Sequence, residues 1–205
     1  DLHTVRYTIN TCFCFSLNKH LPFNNVLKKQ NFTGKMVNWC IIGAILAPNM
    51  GGWVSTLSMR GQVKRPDGKA WYQLLKKPSW TPPPWLFGPA WTVLYSGIGY
   101  ASYVVYTECG GFTDASVLPL ALYGGQLILN WTWTPVFFGW HKIGLGLLHM
   151  LVLDAAAVAC TVSFYNVSPN TGYFMVPYLA WLAFLSTDNF IKLVLRITQV
   201  TNKLR

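Results

Sequence analysis

The residues with the most distinctive chemistry in this chain are tryptophans, and several of them stand among prolines. Residues 77–91 read KPSWTPPPWLFGPAW and contain three tryptophans and five prolines. A second cluster, NWTWTP at residues 130–135, contains two more tryptophans. The indole ring is large, flat and apolar, so it stacks well on flat ligands. These clusters predict non-covalent binding of flat polycyclic molecules in an aromatic-lined cavity.

Residues that could support covalent or metal chemistry form no recognisable arrangement in the sequence. The cysteines lack metal-ligand spacing, and Cys12 and Cys14 are too close together for a CxxC redox pair. No hydrolytic triad is evident, and we expect neither catalytic residues nor a metal site. His149, Asp154 and Asp188 fall inside apolar stretches, where an ionisable side chain usually faces a partner or a cavity. For His149, a hydrogen-bonded interior position is the commoner outcome, and haem ligation is the alternative.

The elements that position these residues are predicted to be membrane helices. Hydrophobic residues make up 52% of the chain and charged residues only 11%, against about 25% charged in soluble domains. Apolar stretches of about 20 residues recur, and each can cross a bilayer of about 30 Å as a helix. We therefore predict an all-α integral membrane protein, a bundle of five transmembrane helices. The predicted spans are residues 39–59, 85–106, 117–137, 143–165 and 173–195.

Charge sets the expected topology. Basic residues concentrate in the first loop, at residues 60–77, and after the last span, whereas the second loop carries Glu108 and Asp114. By the positive-inside rule, the first loop and the C-terminus should face the cytosol. The net charge of +10 is thereby explained by the basic residues that set the membrane topology, and nucleic-acid binding is not expected.

Three regions are expected along the chain. Residues 1–35 are polar and lack a sustained period, which predicts a disordered or non-native N-terminal extension, with Met36 as the natural start. A native but poorly ordered arm is the alternative. Residues 36–196 form the predicted membrane domain, and residues 197–205 form a basic C-terminal tail.

The two tryptophan clusters are expected at the same end of the bundle, because consecutive helices joined by short loops run antiparallel. Trp80 and Trp85 also fit an interfacial aromatic belt, which is a common position for tryptophan. Trp91 lies about two turns inside its helix and fits a belt less well. A cavity with stacked aromatic walls would suit porphyrins or sterols.

The order of these motifs resembles the translocator protein family, whose members are also called tryptophan-rich sensory proteins or peripheral benzodiazepine receptors. The resemblance begins with Trp71-Tyr72-x-x-x-x-Lys77-Pro-Ser-Trp80 and continues through Gly110-Gly-Phe-Thr113. It extends over LYGGQLILNWTW at residues 122–133 and PYLAWLAF at residues 177–184. The resemblance covers about residues 39–190, and the residues of these motifs are more similar to those of animal members than to those of bacterial ones.

The resemblance implies a membrane receptor or carrier with a ligand cavity that opens toward the first loop. Family members bind porphyrins, cholesterol and synthetic ligands of the benzodiazepine and isoquinoline types, and animal members lie in the outer mitochondrial membrane. A role in mitochondrial sterol or tetrapyrrole handling would follow. No cofactor is required, although porphyrin or haem is a candidate ligand. Some relatives are reported to degrade protoporphyrin with light and oxygen, so an enzyme that uses the same cavity is the alternative function.

The resemblance also assigns residues. The implied ligand-binding positions are Gly52, Thr56, Met59, Phe87, Gly88, Ala90, Trp91, Asn130, Leu145, Leu148, Trp181, Leu185 and Asp188. The first loop, with Trp71, Tyr72 and Trp80, would form a lid. Ala121 and Gly125 would contribute to a homodimer contact through a small-xxx-small pattern, for which packing within the bundle is the alternative. Trp91 and Trp181 could also be packing residues, and Asn130 could bond a neighbouring helix.

Two departures from the family pattern concern the last span. The sterol-recognition pattern is degenerate: it would use Leu185, Phe190 and Lys192, but phenylalanine stands where the family has tyrosine, and the basic residue comes early. Such patterns are weak even when intact. Asp188 occupies a usually apolar position, so we expect it to meet a partner, to be neutralised by burial, or to anchor a polar ligand group.

Overall fold

The described part of the chain, residues 39–58 and 75–204 of the computed structural model, contains helices and connecting turns but no strand. Its long helices are α1 (Trp39–Ser58), α2 (Pro84–Glu108), α3 (Asp114–Thr134), α4 (Ile143–Val167) and α5 (Gly172–Leu204). A π-helical turn, Pro135–Gly139, follows α3, and a 3-10 turn, Pro169–Thr171, precedes α5. The described residues therefore contain five long helices, where five were predicted. The expected N-terminal extension, residues 1–35, lies outside the described residues.

Three stretches of these helices are long and apolar enough to cross a membrane: Trp39–Leu57, Ile143–Val167 and Pro169–Asn202. The other two helices, α2 and α3, have 25 and 21 residues, which is also a spanning length. They carry more polar side chains, and several of these are buried, among them Ser102, Gln126 and Asn130. The chain is an integral membrane protein in which α2 and α3 direct polar groups toward the interior.

The C-terminal ends of α3 and α5 differ from the predicted ones by three residues or more. The third span was expected to continue to residue 137, but α3 ends at Thr134 and the π-helical turn follows. Pro135 has no N–H to donate to the carbonyl of Trp131, and Ser55 Oγ of α1 donates to that carbonyl at 2.5 Å instead. The fifth span was expected to end near residue 195, but α5 continues to Leu204, so most of the expected basic tail prolongs that helix.

The loop between α2 and α3 needs two glycines. Gly110 and Gly111 have φ angles of 76° and 106°, a region that residues with a Cβ rarely adopt. The Gly111 N–H donates to the Tyr106 carbonyl at 2.8 Å and closes the end of α2. Ser116 Oγ then accepts from the Thr113 N–H at 2.9 Å and starts α3. The glycine pair in the sequence is thus explained by the reversal of the chain.

The core lies where α3 packs on α4, α4 on α5, and α2 on both α3 and α5. Its largest fully buried apolar side chains include Ile98, Met150, Leu153, Phe164, Met175 and Leu182. These side chains come from α2, α4 and α5, and together they fix the position of the residues between them. The interior faces of these helices therefore form a rigid frame for the groups described next.

The helix α1 makes polar contacts with α2 and α3 near its middle. Trp131 Nε1 of α3 donates to the Pro48 carbonyl at 3.2 Å, and Asn49 Nδ2 donates to Ser96 Oγ of α2 at 3.2 Å. Trp53 and Val54 are 55% and 64% exposed, so they face outward, as expected for a helix in lipid. The helix is therefore peripheral, and its attachment depends on a few groups near its middle.

Candidate ligand site

A chain of buried hydrogen bonds links α2, α3 and α5. The Tyr95 hydroxyl donates to Asn130 Oδ1 at 2.7 Å, and Asn130 Nδ2 donates to the Tyr178 oxygen at 2.9 Å. The Tyr178 hydroxyl in turn donates to Gln126 Oε1 at 2.6 Å. Because a buried polar group is costly without a partner, this chain fixes the relative positions of three helices. Asn130 therefore bonds neighbouring helices, which was one of its two predicted roles.

Trp91 packs against the same polar chain. Its ring centroid lies 5.0 Å from that of Tyr95 and 6.4 Å from that of Tyr178. Trp91 is one helical turn nearer to the start of α2 than Tyr95, so it lies on the side of the first loop. It is only half-buried, which leaves part of the indole free of protein contacts.

A row of aromatic rings, here called the aromatic ladder, runs beside Trp91. The ring centroids of Trp80 and Phe184 are 5.2 Å apart. Phe184 stacks on Trp181 with a centroid distance of 5.6 Å, and Trp181 packs edge-on against Phe87 with a centroid distance of 6.0 Å. Offset and edge-on pairs at such distances are favourable. The ladder joins the end of the first loop to α5 and then to α2. Trp80 thus packs over α5 as a covering residue would, whereas Trp71 and Tyr72 lie outside the described residues.

An apolar groove with a volume of about 680 Å³ lies between α2 and α5. We call it the α2–α5 groove; it is lined by Pro89, Ala90, Val93, Leu94, Pro177, Ala180, Trp181 and Phe184. Val93 is 71% exposed, so the groove opens sideways at the surface of the bundle. The buried N–H of Trp181 has no hydrogen-bond partner among the described residues. The groove therefore has flat aromatic walls that are almost entirely apolar.

Polar groups gather just beyond the aromatic ladder. The Thr81 hydroxyl donates to Asp188 Oδ1 at 2.8 Å, and Lys192 forms an ion pair with the other oxygen of Asp188. Asp188 and Lys192 are both buried, one turn apart on α5. The intramembrane carboxylate thus has a partner, as expected, and that partner is a lysine on its own helix. The contact with Thr81 ties the end of the first loop to α5.

The three residues of the degenerate sterol pattern do not share a surface. Leu185 and Lys192 are buried, whereas Phe190 is 54% exposed. Lys192 faces inward because it pairs with Asp188. The pattern therefore offers no continuous outer surface on which a sterol could contact all three side chains.

The other positions that the resemblance assigned are scattered. Gly52 packs against Tyr95, while Thr56 is exposed and donates to the Gly52 carbonyl of its own helix at 2.9 Å. Gly88 and Leu148 are exposed, Leu145 is half-buried, and Met59 lies outside the described residues. Of the thirteen assigned positions, those brought together near the ladder and the groove are Phe87, Ala90, Trp91, Trp181, Leu185 and Asp188.

His149 and Asp154, the other two ionisable groups singled out within the helices, have internal partners. His149 Nε2 lies 2.8 Å from the Leu129 carbonyl oxygen, which matches the hydrogen-bonded interior position. Ser186 Oγ donates to Asp154 Oδ2 at 2.6 Å across α4 and α5. Within residues 39–58 and 75–204, no three His, Cys, Asp or Glu side chains lie close enough to hold a metal ion.

Sequence reasoning did not identify several residues of the site. Tyr95, Gln126 and Tyr178 were not singled out, although polar residues in apolar stretches were a usable signal. Pro177, Trp181 and Phe184 recur at helical spacing on α5, and Pro89, Ala90, Val93 and Leu94 do so on α2. Two such faces could have predicted an apolar groove, but not that these two helices would be adjacent.

The fold and the site together define a helical integral membrane protein with a lateral aromatic groove over a buried polar chain. The sequence profile of the TspO/MBR family matches residues 44–191, and the chain belongs to this family. It is 48% identical to the Translocator protein of Homo sapiens over 149 residues, which are 73% of this chain and 85% of that protein. It is 44% identical to the Translocator protein of Sus scrofa over the same coverage. It is 38% identical to the protein CrtK of Rhodobacter capsulatus over 121 residues, 59% of this chain and 75% of that one.

Proposed function

We propose that this protein is a membrane receptor or carrier that binds flat lipophilic molecules in the α2–α5 groove. The candidate ligands are porphyrins, cholesterol-like sterols and synthetic compounds of the benzodiazepine and isoquinoline types. The observation that carries the proposal is the groove itself, whose volume of about 680 Å³ suits a ligand of drug size, for which pockets of about 300–1,000 Å³ are usual.

The groove favours flat rigid ligands for a physical reason. A ligand that comes from the bilayer leaves an apolar environment, so burial of apolar surface alone contributes little to its affinity. Stacking on Trp181 and Phe184 distinguishes a flat ring system from a flexible acyl chain.

The proposal is tested by titrating the detergent-purified protein with protoporphyrin in the dark while following tryptophan fluorescence. We expect saturable quenching, and Trp181→Leu should weaken binding at least about tenfold, or about 1.4 kcal/mol. Trp85→Leu is the matched control, because Trp85 is 72% exposed at the start of α2 and does not line the groove. Absence of saturable binding, or equal losses in the two variants, would contradict the proposal.

A second candidate function, light- and oxygen-dependent porphyrin degradation, is favoured by the contacts of Trp91. Its indole lies against Tyr95, whose hydroxyl joins the buried hydrogen-bond chain to Tyr178. Oxidisable rings are thus adjacent to one another, and Trp91 directly follows Ala90, which lines the groove. Illumination of the titrated samples distinguishes the two functions. A receptor leaves the porphyrin absorbance unchanged, whereas an enzyme reduces it, and Trp91→Phe should abolish that reduction.

We also propose that the protein resides in the outer mitochondrial membrane and forms a homodimer through α3. Ala121 and Gly125 are exposed on that helix, and nothing lies within 4 Å of the position that a Cβ of Gly125 would occupy. Small outward residues allow the close backbone approach that helix pairs in membranes use. The mitochondrial location is supported by the similarity to animal relatives named Translocator protein.

A further inference from the structure

A second groove, here called the α4–α5 groove, lies between the start of α4 and the C-terminal part of α5. It has a volume of about 410 Å³ and shares no lining residue with the α2–α5 groove. Its lining residues are His141, Lys142, Ile143, Gly144, Leu193, Arg196, Ile197, Val200 and Thr201. Apolar and basic side chains thus share one concave surface, and no acidic residue is among them.

The α4–α5 groove lies at one surface of the membrane. A Cβ on Gly144, in the first turn of α4, would lie 4.0 Å from Leu193 Cδ1, so these two residues are at the same depth. Leu193 follows the start of α5 at Gly172 by about 20 residues, which is enough to cross the hydrocarbon core. Arg196 is almost one turn further along, by about 5 Å. Trp140 directly precedes the groove and is 62% exposed, and tryptophan is common at headgroup depth. The groove therefore faces the headgroup layer.

Lys142 and Arg196 give the groove a positive charge. Both residues are exposed. Among residues 39–58 and 75–204, the ion pair is that of Asp188 with Lys192, and it includes neither of them. Lys142 is the N-cap of α4 and forms no side-chain hydrogen bond with the helix end, and the first turn of α4 carries no acidic residue. The part of the chain that the structure describes thus places no carboxylate within ion-pair distance of these two cations.

We propose that the α4–α5 groove binds an anionic phospholipid, whose phosphate lies between Lys142 and Arg196 and whose acyl chains pass Leu193 toward the membrane interior. Basic pockets between membrane helices are a known type of site for anionic lipid headgroups. The inference goes beyond the proposed function and does not depend on it, because the two grooves have separate linings.

Charge and depth together favour this occupant over others. A sterol would cover the apolar side chains but leave two cations without a counter-charge, and a soluble phosphate would leave Leu193 and Ile197 uncovered. Phosphatidylcholine has a phosphate, but its choline adds a third positive charge. An anionic phospholipid matches the cations and the apolar side chains at once. The apolar neighbours also displace water from the charge pairs, which strengthens their attraction.

The test compares two lipids with the same acyl chains, dioleoylphosphatidylglycerol and dioleoylphosphatidylcholine, by native mass spectrometry of the protein in a neutral detergent. We expect the first phosphatidylglycerol to bind at least about tenfold more tightly than phosphatidylcholine, because each basic residue near an anionic lipid contributes roughly fivefold. Lys142→Gln and Arg196→Gln should each weaken phosphatidylglycerol roughly fivefold and leave phosphatidylcholine unchanged. Arg196→Lys, which keeps the charge, should retain most of the preference.

Lys76→Gln is the matched control, since Lys76 is an exposed lysine that does not line the groove. Equal losses in Lys76→Gln and Arg196→Gln would overturn the inference, because they would show a general surface charge. Equal binding of the two lipids to the native protein would also overturn it. A variant that had lost its fold would lose phosphatidylcholine as well, so loss of phosphatidylglycerol alone supports the site.

A second variant tests the place of binding without a change of charge. Gly144→Leu puts a side chain into the groove, and its Cβ would meet Leu193 at an ordinary contact distance of 4.0 Å. We expect this variant to weaken phosphatidylglycerol at least about fivefold, as removal of one cation does. Unchanged binding of phosphatidylglycerol to Gly144→Leu would show that the lipid lies elsewhere and would overturn the inference.

A soluble anion is the other source of a phosphate group for these cations. The titration of phosphatidylglycerol is therefore repeated with inorganic phosphate or with chloride at the same ionic strength. We expect the two salts to have the same effect, because the acyl chains add contacts that a free phosphate lacks. Displacement of the lipid by phosphate beyond the effect of chloride, absent in Arg196→Gln, would assign the groove to a soluble anion and overturn the inference.

Discussion

At the scale of single residues, two adjacent glycines of α1 decide how closely aromatic rings approach that helix. A Cβ on Gly51 would overlap the ring of Trp131, and a Cβ on Gly52 would lie 2.6 Å from the ring of Tyr95. The Tyr95 ring cannot easily move away, because its hydroxyl bonds Asn130 at 2.7 Å and its face packs on Trp91. The glycine pair thus permits close helix approach, and Gly52 supports the site by making room for Tyr95.

Substitution of Gly52 by alanine should therefore destabilise the protein. We expect a cost of about 1–3 kcal/mol, which is typical of overpacking a filled interior, and a lower midpoint of thermal unfolding in detergent. Gly124→Ala is the control, since nothing lies within 4 Å of its Cβ position and alanine is the better helix former by up to about 1 kcal/mol. A midpoint for Gly52→Ala at or above that of the native protein would show that Tyr95 has room to move.

At the scale of helices, a proline in one case and a tryptophan in the other supply the polar contacts between α1 and α3. Pro135 leaves the Trp131 carbonyl without its usual helical donor, and Ser55 Oγ donates to it. Trp131 Nε1 donates in return to the Pro48 carbonyl at 3.2 Å. Trp131 belongs to the second tryptophan cluster, which the sequence predicted to line a ligand cavity. In the structure, its N–H joins two helices.

Loss of the Trp131 N–H should loosen α1 selectively. Trp131→Phe removes a hydrogen bond that contributes about 0.6 kcal/mol on average in membrane proteins, which corresponds to roughly threefold more frequent local opening. Amide hydrogen exchange should accordingly speed up in α1 and remain unchanged in the core of α4. Trp53→Phe is the control, because Trp53 is 55% exposed on the outer face of α1. Faster exchange in α4 as well would indicate a global effect and contradict this role.

At the scale of the whole molecule, the charge distribution predicts the orientation in the membrane. A version without its native cysteines is given one new cysteine, either Ser79→Cys in the first loop or Asn170→Cys in the turn before α5. Both positions are exposed. With the proposed location in the outer mitochondrial membrane, a maleimide too large to pass that membrane should label Ser79→Cys in intact mitochondria and Asn170→Cys only after solubilisation. The opposite pattern would show that the positive-inside rule fails for this chain.

Much of the fold could be predicted from the sequence. In a bilayer, a long apolar stretch must satisfy its backbone hydrogen bonds internally, and a helix does so. The starts of α1 and α4 at Trp39 and Ile143 coincide with the predicted ones. The end of α3 was less accessible, since a proline can either kink a helix or end it. The bond that Pro135 cannot make comes from Ser55, a donor that is distant in the chain.

The sequence by itself determined the class of protein and the family, because these follow from composition, apolar length and local motifs. Only the tertiary structure decided which residues meet. It assigned Trp131 to helix packing, directed Lys192 inward toward Asp188, and brought the α5 face with Trp181 against α2. The physical reason is that the pairing of buried polar groups and the packing between helices depend on residues many positions apart in the chain. The sequence pattern does not give the distances between such residues in space.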